Sequence, residues 1–387
     1  MDTNTKYCII IDSFRSHNAL AYLCNEFKIA PIHIFSSEEI FEEQFVAVTP
    51  FYFFKSFIFK DIETLKKQLE PYISNTLFCF ACTDGSQILK ETIDDIYNFP
   101  TKNNSAFSKI KNNKYDLYQH LSQPSAKENF AEFVQEFGPS VIKPSPVHLS
   151  SGCLDVSYTT EIDIQDKKHS FISKYFEGDE YAVDIVSSNG HHKLCAAWKY
   201  VRDKNQKIWK NKVELLDYKE NVKLITSLYD QCVEWLDSLE HKHGPSHIEI
   251  KKHGNDFFCI EMNFRLNGHM SFLALYKCFG IYNQVSLTLA SLTKKDLFFN
   301  NLNEYNNTGH ISRIYFCNSR DRSYTDVQWK NIESLESTAQ VFKHVWPWGD
   351  LPISKETYES TAAIIILYND DYNKLLEDEK RLKFLMI

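Results

Sequence analysis

The stretch from His247 to Arg265 constrains this chain more than any other. Two apolar runs, His247-Ile248-Glu249-Ile250 and Phe257-Phe258-Cys259-Ile260, flank His253-Gly254-Asn255-Asp256. Gly, Asn and Asp between such runs mark a tight turn, so the segment predicts a β-hairpin. Side chains alternate faces along a strand, so Glu261 and Asn263 share a face. A hairpin folded about Asn255 brings Glu249 directly opposite Glu261. Opposed side chains on one face stand about 5 Å apart at Cβ. Two carboxylates that close repel unless a cation lies between them or one is protonated. Carboxylates with an amide oxygen are hard ligands suited to Mg²⁺. Arg265 adds a planar cation able to hold a phosphoryl or carboxylate group at two points. A glutamate pair on a surface hairpin would need no ligand. Here Phe, Ile and Cys occupy both faces, which predicts partial burial, and burial makes an unneutralised pair costly. The pairing depends on register, because a slip of one residue turns Glu261 to the other face.

Length and composition bound the rest. A chain of 387 residues can form two or three packed lobes. A formal charge of −8 gives no support for nucleic-acid binding. No window of about 18 apolar residues predicts a membrane span. Met1 to Lys6 is polar and runs straight into a strand-like segment, so no signal peptide is expected. The chain is expected to be cytoplasmic, with its ten scattered cysteines reduced.

Several chemistries are set aside. No Walker-type loop, G-x-G-x-x-G or G-x-S-x-G is present. Cys79-Phe80-Ala81-Cys82 has redox spacing but lies inside an apolar run, which favours core packing. His247-Ile248-Glu249 lacks the Pro-Cys-x-x-Cys that a zinc deaminase requires. His241, His243 and His247 flank Gly244-Pro245, which breaks any common helical face, so they are expected in a solvated loop. The aromatic residues of 51–59, interrupted by Lys55, suit a core or a subunit interface.

The order of elements predicts an α/β fold. Tyr7 to Ile11, Ala19 to Phe27 and Pro31 to Phe35 read as strand, helix and strand, the start of a parallel lobe. Leu77 to Cys82 is a later strand of that lobe, ending at Asp84-Gly85. Residues 99–113 read as a polar linker. Lys127 to Phe137 is an amphipathic helix with Phe130, Phe133, Val134 and Phe137 on one stripe. Further strands are read at 141–144, 171–175, 180–186, 194–200 and 362–367. Lys219 to Leu239 is the clearest helix, with apolar residues at 222, 225, 229, 232, 236 and 239. Tyr372 to Phe384 is a charged closing helix.

Lys143 ends a strand and precedes the loop Ser145 to Gly152, which contains Ser150, Ser151 and Gly152. A lysine beside a small-residue loop can grip a triphosphate through its ammonium and backbone N–H groups, although a lysine beside a proline is also ordinary on a surface. Glu180, after Gly178, is placed to hold ribose hydroxyls. In that order, lysine and loop, Gly-x-Glu, then Glu-x-Asn-x-Arg followed by Gly268, the chain resembles the ATP-grasp superfamily. The resemblance is closest to its carboxylate–amine ligases, including L-amino acid ligases, and strongest over about residues 95–300.

The resemblance implies a fold of an N-terminal parallel α/β lobe, a small lid lobe and a larger mixed-sheet catalytic lobe. The corresponding divisions are 1–98, 99–186 and 187–300, with 301–387 completing the catalytic lobe. It implies that Glu249, Glu261 and Asn263 bind Mg²⁺, for which Mn²⁺ can substitute, and that Arg265 stabilises an acyl phosphate. Lys114 and Lys143 match the two phosphate-binding lysines, Glu180 the ribose-binding glutamate, and Phe176 the hinge position whose backbone meets adenine. The implied cofactor is ATP, and the implied partners are a small carboxylate and an amine, with amino acids favoured. A homodimer is compatible with it. The implied reaction forms an amide and releases ADP and phosphate. The alternative is an ATP-binding protein of the same fold with little turnover, serving regulation or assembly. Tyr200, Arg202, Trp209 and Asn267 are candidates for the specificity pocket and equally for structural roles. The chain departs from the family pattern at Ser173, in place of the hinge glutamate, at the glycine-poor loop 149–153, and at His269, where a second glycine is common.

Overall fold

The computed structural model describes residues 5–13, 18–44, 53–144, 154–156, 170–201, 212–268, 270–293, 298–299, 305–317, 326–343 and 361–386. The first lobe is built on β1 (Lys6–Ile11), β2 (Ile29–Phe35), β3 (Lys55–Ile58) and β4 (Thr76–Ala81). These form a parallel sheet in the order β3-β2-β1-β4. Helices lie on both faces of such a sheet, so its central strand is apolar on both sides. Cys8 and Ile10 pack toward the helix Asn18–Glu26, while Ile9 and Ile11 pack toward Ile62–Ile73. Cys79 and Cys82 are buried, and burial holds both thiols well above their ordinary range. They are core residues, as their apolar setting predicts.

The lid sheet contains β5 (Ser125–Ala126), β6 (Ser140–Pro144), β7 (Leu154–Val156) and β8 (Ser170–Lys174), in the antiparallel order β5-β8-β6-β7. The helix Phe130–Phe137 lays Phe133 and Val134 onto Ile142 and Ile172. The expected apolar stripe is the face that this small sheet buries.

The third sheet has eight strands. They are β9 (Asp179–Ser188), β10 (His191–Val201), β11 (Lys212–Leu215), β12 (His243–His253), β13 (Asp256–Asn263), β14 (His310–Cys317), β15 (Thr338–Lys343) and β16 (Thr361–Asn369). Their order is β13-β12-β9-β10-β11-β14-β16-β15, antiparallel throughout. The C-terminal segment completes this sheet through β14 to β16. The helix Tyr218–Ser238 covers it with Ile225, Leu228, Cys232, Trp235 and Leu236. Val222, read on the same stripe, is 41 % exposed and follows a kink at Asn221.

Three expectations need correction. The division at residue 186 falls inside β9, which is a central strand of the large sheet, whereas the lid sheet ends at Lys174. Gly178 lies between them with φ +145°, and a Cβ there would stand 2.5 Å from the Lys252 carbonyl oxygen. Only glycine lets the chain cross so closely over β12. The segment read as a polar linker carries a turn of 3₁₀ helix at Ser105–Phe107 and a short helix at Ser108–Lys111, and Lys111 is buried. His241, His243 and His247 are 3 %, 9 % and 5 % exposed rather than solvated, because β12 begins at His243 and carries the segment into the sheet.

The lobes share a core. Leu266, Val285 and Leu289 of the large-sheet lobe join Cys8, Ile10, Leu20 and Phe80 of the first lobe in one apolar cluster. That contact fixes the carboxyl edge of the parallel sheet against the segment following β13.

Candidate active site

The hairpin of β12 and β13 places Glu249 opposite Glu261, as expected, but by another route. Its tip pairs His253 with Asp256 and Ile250 with Cys259, one residue away from a fold centred on Asn255. Gly254, at φ +58°, makes the tighter turn possible. A β-bulge between Glu249 and Ile250 of β12 then restores the pairing, leaving Ile260 as the extra residue on β13. The Ile260 carbonyl oxygen accepts from the Tyr118 hydroxyl at 2.8 Å.

Charge converges on this pair. The Lys114 ammonium lies 3.4 Å from Glu261 Oε1. The Tyr200 hydroxyl donates to Glu249 Oε1 at 2.8 Å, and His247 Nε2 is 3.7 Å from the same oxygen. Burial pushes the Glu261 carboxyl above its usual range; Lys114 opposes this, while Glu249 and Asp84 add to it. The inward-facing atom of the Asn263 amide meets only acceptors when it is oxygen. Turned, its nitrogen donates to Glu261 Oε1 at 3.2 Å and Asp84 Oδ1 at 3.0 Å. The amide oxygen then takes the position that faces donors. The buried Glu249 carboxylate, the half-buried Glu261 carboxylate and an amide oxygen are a donor set that fits a hard divalent cation, and one such charge would oppose the upward push on Glu261.

Arg265 stands two residues beyond Asn263. Its Nε and Nη2 donate to Asp84 Oδ1 and Oδ2, each at 2.8 Å, and Nη1 donates to the Leu266 carbonyl at 3.0 Å. Burial works against its charge, but Asp84, Glu261 and Glu249 together outweigh burial and raise the guanidinium above its ordinary value. Phe264 between them is held as well. Its carbonyl accepts from Gln87 Nε2 at 2.8 Å, and its ring lies 4.9 Å from that of His241 and 5.3 Å from the Lys111 ammonium.

Lys143 belongs to the lid sheet. Its ammonium donates to the Tyr118 hydroxyl at 2.7 Å and lies 5.6 Å from the Phe258 ring centre. Phe176 stacks on Phe258 at 5.5 Å, and its carbonyl accepts from Lys251 Nζ at 2.9 Å. Glu180 is buried on β9, in register with Tyr200 and Lys251. Thus Lys114, Glu249, Glu261, Asn263 and Arg265 form one group, and Lys143 and Phe176 meet beside it at the Phe258 ring. Ser173 is fully buried. Ser150, Ser151, Gly152, Arg202, Trp209 and His269 lie outside the described residues.

Sequence reasoning missed a buried polar network beneath the site. Asp184 on β9 pairs through Oδ1 with His247 Nδ1 at 2.7 Å. Its Oδ2 accepts from Trp198 Nε1 at 2.7 Å and Asn267 Nδ2 at 3.0 Å. Arg313 Nη1 donates in turn to Asn267 Oδ1 at 3.2 Å and to the Gly268 carbonyl at 2.9 Å. Burial disfavours a charged His247, but its bonds to Asp184 and Glu249 win and raise its titration above the ordinary value. The available signal was Asp184 itself, a lone acid in the apolar run 182–186, which must find partners once buried. Asn267, read as a specificity candidate or a structural residue, belongs to this framework, and Tyr200, read the same way, bonds Glu249. Asp84 was also passed over, noted only as the end of a strand.

No protein-family model matches this sequence, and no curated protein matches it. Solved structures do match along its whole length. The L-amino acid ligase from Bacillus licheniformis aligns with a TM-score of 0.78 at 14 % identity, over 98 % of this chain and 96 % of that one. N5-carboxyaminoimidazole synthetase from Staphylococcus aureus, complexed with ADP, aligns at 0.68 and 12 % identity, over 99 % and 97 %. Phosphoribosylglycinamide synthetase from Anaerococcus prevotii aligns at 0.67 and 10 % identity, over 98 % of both chains. The chain has the ATP-grasp fold.

Proposed function

We propose that this chain is an ATP-dependent carboxylate–amine ligase that forms an amide through an acyl phosphate and releases ADP and phosphate, with an amino acid as substrate. The observation that carries this reading is the convergence of Glu249, Glu261, Asn263, Lys114 and Arg265 on the β12–β13 hairpin. The likeness of fold to an L-amino acid ligase supports it, and so does the structure of a relative complexed with ADP.

Phosphoryl transfer and acyl transfer need positioning and charge neutralisation rather than a protein nucleophile. Lys143 on the lid side and Lys114 on the catalytic side are set to hold phosphate oxygens. Phe176 and Phe258 offer an aromatic wall for a base, and Glu180 a carboxylate for ribose hydroxyls. Glu249, Glu261 and Asn263 would hold Mg²⁺, which shields phosphate charge when bound. Arg265 would face the anionic acyl phosphate, whose carbonyl the amine attacks. The carbonyl carbon gains the C–N bond and loses its bond to the phosphate oxygen, and the nitrogen gives up a proton. The acyl phosphate must be kept from water, which calls for closure over the site when substrate is bound.

The test is a screen of amino acid pairs for ADP and phosphate release with Mg²⁺ and ATP, with product mass measured. An amide of the summed mass less water, in step with ADP, is the expected result. ATP binding without substrate-stimulated ADP release by any pair would favour the non-turnover alternative.

A further inference from the structure

Asp84 lies in the first lobe, three residues beyond the end of β4 and 181 positions from Arg265. Its location follows from the topology. In the order β3-β2-β1-β4 the chain reverses direction of travel between β1 and β4, and the carboxyl ends of such neighbouring strands open a crevice. The turn that holds Asp84 there is tightly tied. Thr83 N donates to Ser86 Oγ at 3.2 Å, Ser86 Oγ donates to the Thr83 carbonyl at 2.9 Å, and Gln87 N donates to the Asp84 carbonyl at 3.3 Å.

Two side chains of this turn grip the end of β13. Gln87 binds the Phe264 carbonyl, and Asp84 binds Arg265 through two parallel hydrogen bonds of 2.8 Å. A guanidinium has five N–H donors in one plane. Asp84 takes Nε–H and one hydrogen of Nη2, and the Leu266 carbonyl takes one of Nη1. Among the described residues these are the hydrogen-bond partners of Arg265, which leaves one hydrogen on each terminal nitrogen for a second anion. Asp84 Oδ1 also lies 3.0 Å from the Asn263 amide nitrogen in its donating orientation.

We infer that Asp84 is a positioning residue for the reaction: its carboxylate fixes the Arg265 guanidinium plane and the Asn263 amide, so that the first lobe completes the reacting centre. This rests on the ligase reading above. Lobe adhesion alone does not call for the pair, because Leu266, Val285 and Leu289 already join the first lobe through apolar contact, and a buried ion pair adds little net stability. Removing a partner that orients a functional group typically costs on the order of 10–100-fold.

The experiment uses full-length protein carrying Asp84→Asn, Arg265→Lys, or both. Asp84→Asn is expected to lower kcat by about 10–100-fold while leaving the KM for ATP within about twofold. In the double variant the two losses should not multiply, because Asp84 acts through Arg265. A kcat for Asp84→Asn within twofold of wild type, or losses that multiply, overturns the inference. Should Asp84→Asn not fold, Asp84→Glu replaces it; it keeps the charge but displaces the carboxylate by one methylene, and wild-type kcat there is equally fatal. Wild-type protein that releases no ADP with any substrate pair sinks the ligase reading instead. In that event the Nε–H resonance of Arg265 decides the pair separately: slow exchange is the expected result in wild type, and if Asp84→Asn leaves the resonance and its exchange unchanged, Asp84 does not hold Arg265.

Discussion

Glu249 faces Glu261 across β12 and β13 although the hairpin tip between them is one residue out of step. The extra residue that restores the pairing, Ile260, offers its carbonyl to Tyr118, and the Tyr118 hydroxyl accepts from Lys143 of the lid sheet. A single line of hydrogen bonds therefore connects the lid with the residue that sets the register of the two carboxylates.

Tyr118→Phe cuts that line at the hydroxyl and removes one partner from Lys143 and one from the Ile260 carbonyl. Both are held in a cluster of Tyr118, Phe171 and Phe258, where the ring itself would still fit. Loss of a buried hydrogen-bond partner costs about 1–3 kcal/mol. Thermal and urea unfolding should show a loss of that order, and titration calorimetry should show weaker ATP binding. A variant as stable as wild type would mean that the line carries no structural weight.

Lys114 and Lys143 approach the site from different sides, one beside Glu261 and one from β6. Lys114→Ala and Lys143→Ala should each weaken ATP binding or slow phosphoryl transfer far more than they lower the melting temperature. Lys114→Ala should also leave Glu261 without its nearest cation and make activity more demanding of Mg²⁺. Normal ATP affinity and turnover in both variants would show that these ammonium groups are not phosphate ligands.

Glu261→Gln removes one negative charge from a buried cluster where burial, Glu249 and Asp84 all push against ionisation. The fold should survive, with a melting temperature near or above that of wild type in the absence of Mg²⁺. Turnover should fall by orders of magnitude, and the stabilisation that Mg²⁺ gives wild type should shrink. A fully active Glu261→Gln protein would remove the metal assignment.

These groups differ in how far the sequence exposed them. The hairpin and the paired glutamates were readable because strand alternation and turn residues are local signals, whereas the division into lobes came from the resemblance to a family and not from periodicity. The tip register was not, since only the φ of Gly254 decides between a two-residue and a three-residue turn. Burial of His247 was hidden because its partner Asp184 lies 63 positions away, on a neighbouring strand. The boundary at 186 misplaced β9 because the apolar pattern of a strand does not say which sheet it joins. Asp84 stood in plain view after β4, but its meaning depends on Arg265, which only the packing of two lobes brings near.

Acid should weaken the first lobe through His33. It is fully buried between Phe35 and Phe53, and its Nε2 accepts from the Ser13 backbone N–H at 3.0 Å, so the neutral form is the one that fits. Burial lowers its pKa from 6.5 to about 3. The folded value lies below the unfolded one, so the unfolded chain takes up the proton first as pH falls. Stability is complete above about 6.5 and declines toward about 3. Between pH 6 and pH 4, wild type should lose about 1.4 kcal/mol per pH unit more than His33→Gln, which has no proton to gain. Urea unfolding at a series of pH values measures this, and parallel curves for the two proteins would exclude His33 as the source.

Arg265 carries the last prediction. Its guanidinium is held edge-on by Asp84 and by the Leu266 carbonyl, and its neighbour Asn263 belongs to the proposed metal set. It therefore stands ready before any substrate binds, and a preorganised donor facing charge that grows in the transition state is worth roughly 3–4 kcal/mol, about 10²–10³ in rate. Lysine keeps the charge but cannot hold Asp84 and a second anion in one plane. Arg265→Lys should lower kcat while leaving ATP affinity nearly unchanged. If the acyl group passes through an acyl phosphate, wild type given its carboxylate substrate, ATP and hydroxylamine should yield a hydroxamate and an equal amount of ADP, and Arg265→Lys should lose both together. Amide formation accompanied by AMP and pyrophosphate would instead identify an adenylate, and the acyl-phosphate role of Arg265 would fall with it.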